Sequence, residues 1–103
     1  MAKLAVLAKM VAQEGKREEA VAKLQELVDH VATEDGTEVY AMHTSDAEPN
    51  VIWFYELYTD SDALGAHGGS DVMKQVGGAL REVMAARPEI TLLTPVAAKG
   101  LSL

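Results

Sequence analysis

An α+β fold of order β-α-β-β-α-β is predicted by three features of this 103-residue chain. Stretches rich in β-formers alternate with two segments of helical periodicity. The two middle β stretches are separated only by turn residues. No internal repeat or low-complexity linker divides the chain, so residues 1–103 form one domain.

The elements follow in order. Lys3–Val11 is apolar on both alternating faces, as a central strand covered on both sides should be. Gln13-Glu14-Gly15 breaks it. From Lys16 to about Ala32 the apolar residues Ala20, Val21, Leu24, Leu27, Val28 and Val31 draw one helical stripe, with Arg17, Glu18, Lys23, Glu26 and Asp29 outside it. Glu34-Asp35-Gly36 stops this helix, and Gly36 suits a left-handed cap. Thr37–Thr44 and Val51–Thr59 read as strands. Asp46, Pro49 and Asn50 between them supply turn chemistry for an antiparallel hairpin.

Asp60-Ser61-Asp62 opens a short helix through Ala66 and His67, its acidic residues favouring the positive end. Gly68-Gly69 interrupts, and Ser70 is placed to cap a second segment. There Val72, Met73, Val76, Leu80, Val83 and Met84 recur at helical spacing until Pro88. Glu89–Val96 forms the fourth strand, and the apolar tail 97–103 is expected to dock. Two right-handed crossovers sharing one four-stranded antiparallel sheet define a ferredoxin-like protomer with its first and third strands central.

Nine basic against sixteen acidic residues give a net charge of −7. That excludes nucleic acid and an anionic membrane as main partners, because phosphates need a basic field. The absence of cysteine removes disulfide, thiolate and Cys-ligated metal chemistry. No apolar run approaches the ~20 residues of a membrane span, and the N-terminus does not read as a signal peptide. A cytoplasmic protein is expected.

The strands carry a second message. In the third, Val51, Trp53, Tyr55 and Leu57 point one way and Ile52, Phe54, Glu56 and Tyr58 the other; the first is equally apolar on both faces. Helices cover only one face of such a sheet. The other would be an exposed patch beyond a few hundred Å², so a homodimer packed through that face is expected.

Gly15-Lys16-Arg17-Glu18-Glu19, Glu34-Asp35-Gly36-Thr37, and Phe54-Tyr55-Glu56-Leu57-Tyr58-Thr59-Asp60 running into Asp62-Ala63-Leu64, His67 and Ser70 resemble the antibiotic biosynthesis monooxygenase (ABM) domain. The likeness spans Leu4 to about Leu93. It implies a dimeric α/β barrel of two ferredoxin-like protomers, each with a pocket between sheet and helices. It also implies oxidation of a quinol, phenolic or polycyclic, anthrone-like substrate by O₂ without a cofactor. The haem-degrading branch relies on an Asn in the first strand, which this chain lacks. The alternatives are an isomerase or decarboxylase of a small carbonyl compound on the same scaffold, and a dimer that binds a ligand without turnover.

In that light His67 is the candidate catalytic base, since an imidazole suits deprotonation of an acidic phenol or anthrone. Gly68-Gly69 beside it lets a ligand approach the backbone closely. Glu56, a carboxylate in an apolar strand, should meet a donor or stay partly wet. A histidine, His67 or His43, is one candidate partner, and Lys9 is the structural alternative. Trp53, Tyr55 and Tyr40 are the candidate aromatic walls for substrate. Tyr58, on the opposite face from Trp53, is assigned to the dimer interface. His43 and His30 read as solvated. The spacings His-x-Asp/Glu and His-x-x-x-His are absent, so no metal is expected. Gly77-Gly78 reads as close helix packing or room for a ligand.

Overall fold

In the computed structural model, which describes residues 2–103, four strands form one antiparallel sheet ordered β2-β3-β1-β4. They are β1 (Leu4–Val11), β2 (Thr37–Thr44), β3 (Val51–Tyr58) and β4 (Glu89–Leu93). The helices are α1 (Arg17–Val31), α2 (Ser61–Gly68) and α3 (Asp71–Leu80). The two most apolar strands are central: β1 pairs with β3 from Leu4 opposite Tyr58 to Val11 opposite Val51. Their buried side chains thereby gain neighbours on both sides, which edge strands cannot supply.

One sheet face lies beneath the helices. Val6, Ala8 and Met10 of β1 and Ile52, Phe54 and Tyr58 of β3 pack into one core with Ala20, Leu24, Leu27 and Val31 of α1 and Val76 and Leu80 of α3. Each large side chain buried there contributes roughly 1.5–3 kcal/mol against leaving it in water. The start of α1 has no side-chain cap, but Glu18 and Glu19 complement its positive end. Arg17 donates to the carbonyls of Ser45 (2.7 Å) and Glu48 (3.1 Å), tying the β2–β3 turn to the helix.

Three expectations change. Gly36 is not left-handed, since among the described residues only Gly15 and Gly100 have positive φ. Its role is close packing: a Cβ there would sit 2.5 Å from Ala63 Cβ of α2. The α3 helix ends at Leu80, eight residues before Pro88. Gly77 and Gly78 weaken it, and the chain instead turns back to pair with the end of β1, Gln13 N donating to Val83 O (2.7 Å) and Ala85 N to Val11 O (2.9 Å). The third change concerns the faces of β3. The alternation is as read, but the set containing Phe54, Glu56 and Tyr58 faces the helices. Trp53 and Tyr55 lie on the uncovered face, with Leu7, Lys9 and Ala41.

Tyr58 is therefore a buried core residue beneath the helices rather than part of the uncovered face. β4 is exposed along its length, Ile90 and Leu92 at 58% and 59%. The tail returns toward the start of β1, where Lys3 Nζ donates to Ser102 O at 2.5 Å.

Candidate active site

A cavity of about 220 Å³ lies between the covered sheet face and the helices. The sheet supplies Tyr40, Phe54 and Glu56 to it; α2 supplies Leu64 and His67; α3 supplies Met73 and Gly77. Its lining is apolar except for the groups described next.

His67 is placed by local signals. The Asp60 carboxylate accepts from Ala63 N at 2.8 Å and caps α2, and His67 falls one turn beyond Ala63, 3% exposed. Its Nδ1 lies 2.9 Å from Glu34 Oε1. Glu34 sits in the turn after α1, held by Thr37 Oγ1, which donates to the same carboxylate oxygen at 2.9 Å. The other oxygen is 3.6 Å from Nε2 of half-exposed His30. A carboxylate at Nδ1 selects the tautomer that carries its proton there and leaves a lone pair on Nε2. Nε2 has no hydrogen-bond partner among the described residues. No fully buried side-chain nitrogen or oxygen is left unpaired among them, so Nε2 opens onto free space. Tyr40 and Tyr58 pack tilted against the imidazole, ring centroids 5.0 and 5.6 Å away, and restrain its plane.

Glu56 is 6% exposed, and its Oε1 accepts from Tyr58 OH at 2.5 Å. Burial pushes its carboxyl above the ordinary carboxylate range, opposed by the Tyr58 hydrogen bond and the charge His67 can carry. Burial likewise raises the Tyr40 and Tyr58 phenols, reinforced by the neighbouring carboxylates, so both stay neutral donors.

Of the residues singled out in the sequence, His67, Glu56 and Tyr40 share this cavity. Trp53 and Tyr55 do not line it; they occupy the opposite sheet face, where Lys9 Nζ stands 5.6 Å over the Trp53 ring. Glu56 meets Tyr58, not His67, His43 or Lys9. The partner of His67 is Glu34, which the sequence places in a helix stop and in a family-like segment without a role at the site. Its signal was an acidic residue in the turn after α1, with nothing local to show which residue it meets. His43 is exposed, as expected. A Cβ at Gly77 or Gly78 would meet open space, so the pair gives room rather than close packing. A second cavity of about 320 Å³ shares Met10, Gly77, Leu80 and Pro88 with the first and runs outward past Arg81 and Arg87. No cluster of three His, Asp or Glu side chains among the described residues is arranged to hold a metal ion. No helix among them is long and apolar enough to cross a membrane.

This fold and pocket define a class, a small α+β protein with a carboxylate–imidazole pair on an apolar cavity. The family model for antibiotic biosynthesis monooxygenases matches residues 4–77, and the chain belongs to that family. It is similar to a candidate antibiotic biosynthesis monooxygenase from Caulobacter crescentus CB15, at 35% identity and TM-score 0.88 over 93% of this chain and 92% of that one. In fold it also matches Rv0793 from Mycobacterium tuberculosis, at 23% identity and TM-score 0.85 over 94% and 98% of the two chains. SO0527 from Shewanella oneidensis matches at 23% identity and TM-score 0.87, covering 94% of each chain. No curated protein matches the chain.

Proposed function

We propose that the protein is a cofactor-independent monooxygenase that oxidises a phenol, quinol or anthrone-type aromatic with O₂. The observation that carries this reading is the buried Glu34–His67 pair, whose imidazole lines an apolar cavity while its Nε2 has no hydrogen-bond partner among the described residues. Nε2 takes the proton of the substrate hydroxyl, or of the acidic carbon in its keto form, and Glu34 stabilises the imidazolium that results. The electron-rich anion passes one electron to O₂, and the radical pair combines at carbon. The hydroperoxide then loses water. One oxygen atom of O₂ ends in a new carbonyl; the other leaves as water with the two hydrogens that substrate gives up, and His67 returns its proton in that step. The inner cavity is somewhat larger than the ~150 Å³ that holds a benzene, so it suits one or two rings. A third ring would extend into the adjoining cavity past Gly77.

Oxygen uptake with 1-naphthol and with anthrone tests the reaction. One O₂ consumed per substrate, with quinone product and no hydrogen peroxide, is the expected result. Uptake no faster than buffer for both, or peroxide equal to the O₂ consumed, overturns it.

The same reading includes a second copy of the chain on the uncovered sheet face, where Trp53, Tyr55, Leu7 and Ala41 form a half-buried apolar surface. Light scattering is expected to give twice the 11.0 kDa chain mass. Tyr55→Glu should shift the mass to that of one chain, because it places a charge directly across from Leu7 and Ala41 in the interface. A monomer in the unaltered protein at tens of micromolar counts against the dimer.

A further inference from the structure

The cavity holds a second polar group whose function the base chemistry leaves open. Glu56 lies mid-strand in β3, more than nine-tenths buried, directly across from Val6 of β1 and Tyr40 of β2. One carboxyl oxygen is occupied by Tyr58 OH. The other has no protein partner among the described residues, yet no fully buried side-chain oxygen among them is unpaired. That oxygen therefore opens onto the cavity that Glu56 lines. The groups facing it are Tyr58 on its own strand, Tyr40 on β2, His67 on α2 and, beyond them, Glu34 after α1. The neighbours contributed by β1 and α3 are apolar. Among the described residues no Lys or Arg lines this cavity to pair with a carboxylate.

We propose that Glu56 reads the ligand: its free carboxyl oxygen carries a proton and donates it in a hydrogen bond to a carbonyl or phenolate oxygen on a one- or two-ring aromatic. The cavity then offers an acceptor at His67 Nε2 and a donor at Glu56, and otherwise apolar wall. A hydrocarbon leaves the donor unpaired, and a carboxylate ligand would find no Lys or Arg on this cavity. An aryl ketone satisfies the Glu56 donor, and a phenol, which both donates and accepts, satisfies both. The donor stands where negative charge collects on the oxygen of the deprotonated substrate, so the residue that selects the ligand also stabilises its anion. The proposal rests on the cavity being a ligand site and does not require that O₂ be the co-substrate.

Binding of 1-tetralone and of tetralin, which differ only by the carbonyl oxygen, tests it by calorimetry on the unaltered protein and two variants. The ratio of tetralone to tetralin affinity cancels what the ring system contributes. In the unaltered protein this ratio should fall about tenfold as pH rises and the carboxyl loses its proton. In Glu56→Gln, whose amide keeps a donor at all pH values, it should stay high and flat. Glu56→Leu should hold it low throughout. If the Leu variant does not fold, the contrast between unaltered protein and Gln variant decides alone. A pH-independent ratio in the unaltered protein overturns the proposal, as does the same fall in Glu56→Gln, which would assign the effect to His67. So does binding of neither ligand. Failure of oxygen uptake with the ratio behaving as described would overturn the oxygenase reading and leave this one standing.

Discussion

His67→Ala is expected to lower kcat for oxygen-dependent turnover by roughly 10²- to 10⁴-fold, the range that a positioned general base supplies. The fold should survive. His67 lies near the end of α2, and its removal leaves a small space beside Tyr40 and Tyr58 rather than an unpaired charge, because Glu34 keeps Thr37 Oγ1 as donor and reaches solvent. Glu34→Gln should lose less than His67→Ala, since an amide oxygen still accepts from Nδ1 but does not stabilise the imidazolium. The double variant should be no slower than His67→Ala alone, because two residues acting through one proton transfer are not additive. Oxygen-uptake kinetics with urea unfolding of each variant measure both parts. Turnover in His67→Ala within about threefold of the unaltered protein would remove the imidazole from the mechanism.

Gly36→Ala should cost about 1–3 kcal/mol of stability and much of the activity, although Gly36 lines no part of the inner cavity. A methyl there meets the Ala63 Cβ at 2.5 Å, and that atom is fixed to the backbone of α2. The helix must shift as a body. His67 lies one turn further along it, while Glu34 lies two residues before Gly36 on the other side of the contact. The displacement therefore opens the 2.9 Å Nδ1–Glu34 hydrogen bond. The compensating double variant Gly36→Ala/Ala63→Gly moves the methyl across the same space. It should recover the stability except for up to about 1 kcal/mol, the penalty of a glycine inside a helix. Urea midpoints and turnover of the three proteins check this. A single variant as stable as the unaltered protein would show that α2 is loosely held.

Most of the fold was legible because its signals are local. The α1 stripe, the β2–β3 turn, the Asp60 and Ser70 caps and the apolar runs of β1 and β3 each lie within a few residues. α3 was read too long, since Val83 and Met84 kept helical spacing while Gly77 and Gly78 lowered the helix's stability. Those two side chains are buried or half-buried in the turn that returns to β1 instead.

The site was legible only in part. The sequence by itself determined that β3 splits into two opposed sets, that His67 falls at the end of a capped helix, and that Glu56 is a carboxylate in an apolar setting. Only the tertiary structure decided which set faces the helices. A period of two separates faces without naming them, and with aromatic residues in both sets hydropathy has no preference. Trp53 and Tyr55 were thereby placed on the wrong side of the sheet for this cavity, Tyr58 was assigned to the dimer interface instead of the core beneath the helices, and Phe54 went unassigned. The pairing of Glu34 with His67 was likewise beyond the sequence. It joins positions 33 residues apart through the packing of α2 against the turn after α1. A carboxylate in a turn carries no local mark of the imidazole it will meet, because a partner so distant is set by how the elements pack.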